Sequence, residues 1–388
     1  MYRRHFKNFY MLIFIFWYST EIIFNTTLDT IMGIPVNTLG NVINVLIFCA
    51  LMVQIVVFQS YTKRELIIII GITIPIVIAT ILSDSRPILS AWMFIVAAKN
   101  SDLDKIIHTA YKILLIMVPI VILLCLLGFI DDKILMRGSV ERISLGFSHP
   151  NQLGLRIFQL MVCHCYVNKN KIGIANYLYI FFAIVFTISV PNSQTTYIAL
   201  GILLFLLSFY RYFEKQKKII MELYMKSLLI GACLFSFFSI IFSYINVNKY
   251  FILARINSWM SSRFSVCHRV WLIYGVSFWG QKIYVTEEER KLVGIKNALW
   301  LDNAYVSILL RYGVVVFLIF SIGYLCLIKN MILQKEYLLV IILFLYSVYG
   351  IMETGLYMIT HNIFLIAFSY LLYNKTNTKV LNNEKKNL

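Results

Sequence analysis

Residues 66–82 read LIIIIGITIPIVIATIL and contain no charged side chain. A helix that crosses the hydrocarbon core of a bilayer needs about 20 residues of this character, or somewhat fewer where it is short. Comparable apolar runs recur on both sides of this stretch, near residues 8–25, 39–59, 87–98, 110–130, 151–167, 173–190, 194–210, 224–245, 303–328, 337–353 and 355–373. The pattern predicts about 12 transmembrane helices, within a range of roughly 10 to 13.

The composition agrees with this pattern. Of the 388 residues, 60% are hydrophobic and 14% are charged, and the mean hydropathy is +0.79. A soluble domain is about one quarter charged. Backbone polar groups in lipid must pair within the protein, which favours helices. We therefore expect an all-α integral membrane protein with a single polytopic membrane domain over residues 1–388.

Lysine and arginine predict the orientation. With the N-terminus in the cytoplasm, most basic residues outside the longest loop fall on inner connections, such as the run 211–218. Few fall on short outer loops, Arg142 among them, so the positive-inside rule is satisfied. Both termini are then cytoplasmic, including the polar tail 374–388, and residues 246–302 form one large extracytoplasmic loop. Because the net charge of +17 is distributed as topology signals, we expect no nucleic-acid partner.

The cysteines predict neither a disulfide framework nor a metal site. The chain has 7 cysteines, and only Cys267 lies in the long loop. In the linear sequence, Cys163, His164 and Cys165 resemble a cluster of metal ligands, but alternate residues of a helix do not share a face. No second pair of ligands accompanies them, so we expect no metal and no cofactor.

A few ionisable residues lie inside the apolar runs, where charge is costly and commonly functional. They are Glu21, Arg156, His164, Arg311, Glu353 and His361. In the topology above, all except His164 lie in the outer half of the bilayer. Snorkelling to the headgroups suits Glu21 and Glu353. Arg156, Arg311 and His361 lie one to two turns deep, which favours a polar cavity that opens outward.

The loop 246–302 is basic and rich in tryptophan. Between Met260 and Phe278, apolar side chains repeat at helical spacing and form one stripe. This predicts an amphipathic helix that lies along the membrane or packs on the bundle. Arg263 borders the stripe and Arg269 projects to the opposite side. The alternative for both arginines is a solvated surface.

Two residues compete for the role of general base. Asp302 ends the long loop directly before an apolar run, with Asn303 next to it, and is either a base or a helix N-cap. His149 precedes Pro150, which opens a helix well, with Asn151 in the first turn. A helix N-terminus lowers the pKa of a histidine and favours the neutral ring. His149 is therefore also either a base or a cap.

Short segments resemble the O-antigen and capsule polymerases and their O-antigen ligase relatives. Residues 146–154, GFSHPNQLG, are similar to the family's segment of phenylalanine, any residue, histidine, proline and asparagine. Residues 191–196, PNSQTT, resemble its serine-arginine-threonine segment, with glutamine in place of the arginine. Residues 301–305, LDNAY, resemble the segment that starts the next span, where ligases carry histidine in place of Asp302. The loop 246–302 is similar to the family's large extracytoplasmic loop.

This resemblance implies a fold and a chemistry. It implies a GT-C-like glycosyltransferase architecture in the bacterial cytoplasmic membrane, with the active site facing outward. The implied reaction is a metal-independent, inverting transfer of a polyprenyl-diphosphate-linked glycan chain onto a polyprenyl-diphosphate-linked repeat unit. The implied catalytic residues are Asp302 and His149, and the implied substrate contacts are Arg263, Arg269, Arg311, Arg156, Asn151, Asn303, Glu353 and His361.

Three functions stay open on the sequence: polysaccharide polymerase, polysaccharide ligase, and flippase or other transporter of lipid-linked oligosaccharide. A transporter should carry charge near the midplane and often has repeated halves. Charge in the outer half and one asymmetric loop favour an enzyme, and Asp302 favours the polymerase over the ligase. The expected partners are lipid-linked repeat units, membrane lipids, and chain-length regulator and flippase proteins.

Overall fold

The computed structural model describes residues 2–285, 290–291 and 299–374, with side chains from residue 9 onward. The predicted tail 374–388 lies outside the described residues except for Asn374. The long loop is described except for residues 286–289 and 292–298.

The described residues are mostly helical. The helices are α1 (Tyr2–Phe24), α2 (Val36–Val56), α3 (Lys63–Ser83), α4 (Pro87–Ala97), α5 (Leu103–Leu126), α6 (Pro150–Val167), α7 (Ile174–Ser189), α8 (Gln194–Glu214), α9 (Lys218–Tyr244), α10 (Phe251–Trp259), α11 (Arg263–Tyr274), α12 (Ala304–Leu333), α13 (Tyr337–Met352) and α14 (Phe368–Leu372). Two short antiparallel hairpins pair β1 (Thr30–Ile31) with β2 (Ile34–Pro35), and β3 (Ile134–Arg137) with β4 (Val140–Ile143).

The chain forms two compact units, which are described separately. Unit 1 comprises Met1–Ser60 and Met93–Lys215. In it, α5 packs on α1 and α6, and α6 packs on α7 and α8. Aromatic side chains of α1 form much of its core, with the rings of Phe14 and Tyr18 stacked at 5.6 Å. A helix with one apolar stripe buries that stripe against a neighbouring helix, which explains why the helices of unit 1 pack on one another.

Unit 2 comprises Tyr61–Trp92 and Gln216–Leu388. Its central helix is α13, which packs on α9 and α12. Every side chain from Leu338 to Ser347 is buried, so α13 is surrounded by protein on all sides. The same unit holds α3, which packs against α12.

Among the described residues, six helices are long and apolar enough to cross a membrane: α2, α3, α5, α8, α9 and α12. Shorter apolar helices cover Phe9–Phe24, Pro87–Ala97, Ile174–Ser189, Tyr337–Met352 and Ile363–Leu372. The expectation of an α-helical membrane protein is confirmed at this level. The count of about 12 spans and the cytoplasmic position of both termini stay predictions.

The last predicted span, 355–373, is not a continuous helix. It contains two 3₁₀ turns, Thr354–Leu356 and Ile363–Ala367, and only Phe368–Leu372 is α-helical. Between them, the backbone N–H of Asn362 donates to the carbonyl of Met358 at 2.8 Å, and the buried side-chain amide of Asn362 donates to the carbonyl of Leu356 at 3.0 Å. Irregular backbone at membrane depth is tolerated where protein buries it. His361 therefore lies in this break, and its predicted place inside a helix is wrong.

The helix predicted between Met260 and Phe278 is shorter than expected. Ser261 and Ser262 adopt positive φ angles of 54° and 61°, which separates α10 from α11. The predicted apolar stripe of α11 packs on the bundle, since the ring of Phe264 meets that of Phe242 on α9 at 5.8 Å. The exposed apolar surface lies on α10 instead, on Phe251, Ile252 and Trp259.

Candidate active site

Three segments of unit 2 place one arginine between two carboxylates. Arg263 is the first residue of α11 and is buried. Its Nη2 donates to Oε1 of Glu353 at 2.9 Å, and its Nε lies 3.5 Å from Oδ2 of Asp302. Glu353 follows the last residue of α13, and Asp302 lies two residues before the first residue of α12. We call Arg263, Asp302 and Glu353 the carboxylate cluster.

The electrostatics of the carboxylate cluster single out Asp302. Burial raises the pKa of Asp302 from 3.8 to about 6, and the nearby Glu353 adds to this effect, while Arg263 opposes it. Its side chain keeps 38% of its surface exposed, so a substrate hydroxyl can reach it. A carboxylate that titrates near the working pH is suited to general base catalysis. Burial disfavours the charge of Arg263, but Glu353 and Asp302 outweigh that burial and raise its pKa.

The N-cap of α12 is Asn303, and this leaves Asp302 free of that role. Oδ1 of Asn303 accepts from the backbone N–H groups of Tyr305 at 3.1 Å and Val306 at 3.2 Å. Its Nδ2 donates to Oγ of Ser239 on α9, and the residue is fully buried. Asn303 therefore has a structural role here rather than that of a substrate contact. Of the two roles left open for Asp302, the structure removes the cap.

Arg311 lies on a π-helical turn, Ile308–Tyr312, inside α12. Its Nη1 donates to Oγ of Ser85 at 3.4 Å, a long hydrogen bond. Its Nε is buried and has no hydrogen-bond partner within the described ranges. A guanidinium offers five donors in a fixed fork, so Arg311 retains capacity for an anion. Sequence reasoning missed Ser85, and no local signal marks it, since it lies 226 residues away in the chain.

The π-helical turn is held open by the loop that follows α11. The backbone N–H of Gln281 donates to the carbonyl of Arg311 at 2.9 Å, and its side chain donates to that of Leu310 at 3.1 Å. Gly313 has a φ of +85°, and a Cβ there would lie 2.5 Å from the backbone nitrogen of Gly280. Such turns replace the regular helical ladder and are frequent at functional sites.

Two other predicted substrate contacts of unit 2, Arg269 and His361, are not members of the carboxylate cluster. Arg269 is exposed on α11, on the side predicted from the helical periodicity. His361 lies in the broken segment after α13, where its carbonyl accepts from the hydroxyl of Tyr346 at 3.0 Å. Both stay predictions as substrate contacts.

In unit 1, His149 caps α6. Its Nδ1 accepts from the backbone N–H of Asn151 at 3.0 Å. Burial lowers the pKa of His149 to about 4, helped by the positive charges of Arg142, Lys133 and Arg137. The predicted direction of the shift is confirmed, but burial rather than the helix terminus is its main cause. The neutral ring carries its proton on Nε2 while Nδ1 caps, so neither nitrogen is free to accept a proton.

The two motif segments of unit 1 lie against each other. A Cβ on Gly154 of α6 would lie 2.6 Å from Oγ of Ser193, so glycine permits the close approach of α8. Arg142, buried on β4, donates through Nε to the carbonyl of Pro191 at 3.0 Å and through Nη2 to Oδ1 of Asn151. The sequence pattern treats Arg142 only as an outer-loop charge, although it holds both segments together.

Arg156 is fully buried inside unit 1. Its Nη1 donates to Oε1 of Gln159 at 2.9 Å, and it interacts electrostatically with Glu21 of α1. Complete burial rules out snorkelling for Arg156. It also makes a direct contact with substrate in this conformation impossible, so its predicted binding role is not supported by its position.

Comparisons with known proteins leave the site to be interpreted from its own geometry. No family model, curated protein or solved structure matches the chain. Over the described residues, no three histidine, cysteine, aspartate or glutamate side chains are grouped so that they could hold a metal ion. The carboxylate cluster and Arg311, both in unit 2, are the groups on which the interpretation rests.

Proposed function

We propose that this protein is a polymerase of surface polysaccharide, of the capsular or O-antigen type. It transfers a glycan chain from polyprenyl diphosphate onto a polyprenyl-diphosphate-linked repeat unit at the outer face of the bacterial cytoplasmic membrane. The observation that carries the proposal is the carboxylate cluster, in which a partly exposed Asp302 with a raised pKa is held by a buried arginine. The proposal includes about 12 spans and cytoplasmic termini.

The chemistry follows from the state of Asp302. Its carboxylate accepts the proton of the acceptor hydroxyl as the hydroxyl oxygen forms a bond to the anomeric carbon of the donor. The bond from that carbon to the diphosphate oxygen breaks on the opposite face, so the configuration inverts and the lipid diphosphate leaves. Glu353 holds Arg263 at 2.9 Å, and Arg263 in turn orients Asp302.

The leaving diphosphate needs a cation, and Arg311 is better suited than Arg263. Arg263 already faces two carboxylates, so little of its charge is left for a phosphate. Arg311 has one long hydrogen bond and a buried donor without a partner in the described part of the chain. Its fork matches phosphate geometry, and stabilisation of the departing charge is commonly the largest catalytic effect.

The proposed function is tested by the length of surface polysaccharide in a deletion strain that carries plasmid copies of the gene. The wild-type copy should restore long polymer, and Arg311→Ala should leave single repeat units on the surface. Arg255→Ala, which removes an exposed arginine of α10 in the loop 246–302, is the matched control and should restore long polymer.

Other phenotypes of the deletion strain identify other functions. Polymer that is long but unattached indicates a ligase, and lipid-linked repeat units trapped inside the cell indicate a flippase. Long polymer with Arg311→Ala at wild-type protein level contradicts the diphosphate role of Arg311.

A further inference from the structure

Unit 1 contains a cavity of about 500 Å³ that the proposed chemistry does not use. It lies between the end of α1, the first hairpin, the start of α2 and residues 131–133. Pockets for small ligands commonly enclose about 300–1,000 Å³. The cavity is therefore large enough for one or two sugar rings.

The walls of the cavity are fixed by backbone hydrogen bonds to the segment that contains His149. Thr26 forms an antiparallel bridge with Phe147, and the N–H of Ser148 donates to the carbonyl of Asn25 at 2.9 Å. The hydroxyl of Thr27 donates to the carbonyl of Asp131 at 2.6 Å. Since these bonds join distant segments, the cavity is formed before any ligand binds.

Several polar side chains of the wall have no committed partner. Asp132 is engaged, because its Oδ1 accepts from Ser144 and from the N–H of Leu145. Within the residues that the structure describes, four other polar side chains of the wall make no hydrogen bond to protein: the exposed Asp29, Asn37 and Asp131, and the half-buried Ser148. Carboxylate, amide and hydroxyl groups of this kind accept from and donate to sugar hydroxyls.

The charge of the wall selects the kind of sugar. The wall contains three aspartates, Asp29, Asp131 and Asp132, and one lysine, Lys133. This excess of negative charge repels a diphosphate or an acidic sugar and tolerates a neutral or amino-bearing one. The ring of Phe24 adds an apolar surface for the carbon–hydrogen face of a sugar.

We propose that this cavity binds a neutral or amino-bearing sugar of the repeat unit, and that it excludes acidic sugars. The inference rests on the proposed function for the identity of the ligand as part of a repeat unit. It assigns to unit 1 the recognition of sugar, separate from the chemistry at the carboxylate cluster.

The test uses the full-length protein in nanodiscs and titrations with three soluble probes. The probes are cellotriose, which is neutral, the chitosan trimer, which is cationic, and trigalacturonic acid. We expect cellotriose or the chitosan trimer to bind and trigalacturonic acid not to bind. The double variant Asp29→Ala/Asp131→Ala should weaken that binding at least about tenfold, since two charged hydrogen-bonding groups are lost.

The control is Glu141→Ala, which removes an exposed carboxylate from β4 in the same unit but outside the cavity wall. Equal binding of trigalacturonic acid, no binding of either other probe, or an unchanged affinity in the double variant overturns the inference. The proposed function fails separately: if the deletion strain keeps full-length polymer while the cavity binds sugar, the cavity is a sugar site in a protein with another activity.

Discussion

Asp302 lies two residues before α12 and His149 one residue before α6, yet burial shifts the pKa values of the two side chains in opposite directions. Burial raises the pKa of Asp302 to about 6 and lowers that of His149 to about 4. The N-cap of α12 is the neighbouring Asn303, whereas His149 is itself the cap of α6. Only Asp302 therefore keeps its proton-accepting atoms available.

The difference shows what makes a residue at a helix start available for chemistry. The N–H groups in the first turn of a helix have no partner within the helix and need a hydrogen-bond acceptor. A side chain that supplies this acceptor is occupied by that bond. At α12 the side-chain amide of Asn303 accepts this hydrogen bond, so the carboxylate of Asp302, one position earlier, pairs with Arg263 instead. At α6 the imidazole of His149 accepts it.

The largest expected effect is a difference in turnover between a variant of Asp302 and a variant of His149. Asp302→Asn should reduce turnover of a lipid-linked repeat unit at least about 100-fold, because it removes the general base. His149→Asn should retain activity close to wild type, because asparagine is a good N-cap. Turnover is measured on purified protein in liposomes, with binding of the donor measured in parallel.

Asp84→Asn is the matched control, since Asp84 is an exposed carboxylate of unit 2 paired with Lys282 rather than with Arg263. It should be fully active, and Asp302→Asn should still bind the donor. A dead His149→Asn beside an active Asp302→Asn would reverse the assignment of the base.

The second effect is a pH dependence that belongs to Asp302 alone. Asp302 accepts a proton only when ionised, so turnover should fall about tenfold for each pH unit below the raised pKa of about 6. His149, with its pKa near 4, stays neutral and should add no further inflection between about pH 5 and 8. The measurement is the pH profile of turnover for wild-type protein and for His149→Asn.

Variants of the carboxylate cluster should move this inflection in opposite directions. Arg263 lowers the pKa of Asp302 and Glu353 raises it. Arg263→Gln should therefore move the inflection to higher pH, and Glu353→Gln should move it to lower pH. Inflections at the same pH in all three proteins would show that another group controls the profile.

The smallest effect concerns the two caps. Asn303→Ala and His149→Ala each remove a side-chain acceptor from a helix start, which costs about 0.5–2 kcal/mol of stability. Asn303→Ala should cost more, because Oγ of buried Ser239 also loses its partner. Thermal unfolding in detergent measures both, and Asn303→Asp, which keeps the cap, is the control. A larger loss for His149→Ala would contradict the difference between the two caps.

Much of the fold can be predicted from the apolar runs, because a long apolar segment in lipid must pair its own backbone polar groups and therefore forms a helix. The break between Glu353 and Asn362 is different. It mixes apolar residues with Glu353, Thr354, Thr360, His361 and Asn362. The bonds from Asn362 and from Tyr346 on α13 make the irregular backbone tolerable. Such bonds depend on tertiary packing, so the partners of these groups cannot be predicted from local composition.

The candidate site was predictable in its members but not in their partners. Position and charge pointed to Arg263, Asp302 and Glu353 as candidates, but Arg263 and Glu353 are 90 residues apart and nothing in the sequence joins them. The adjacent residues Asp302 and Asn303 are both good caps, so spacing alone does not decide between them. That choice depends on Ser239 of α9, which anchors the amide of Asn303.

The broken run after α13 also constrains the order in which the protein is assembled. A segment whose backbone groups depend on neighbouring side chains cannot partition into lipid as a finished helix. Its stability requires Tyr346 of α13, and it requires Ser307 of α12, whose hydroxyl meets that of Tyr357 at 3.0 Å. Both partners are synthesised before it. We therefore expect this segment to reach its final structure only after α12 and α13 have packed.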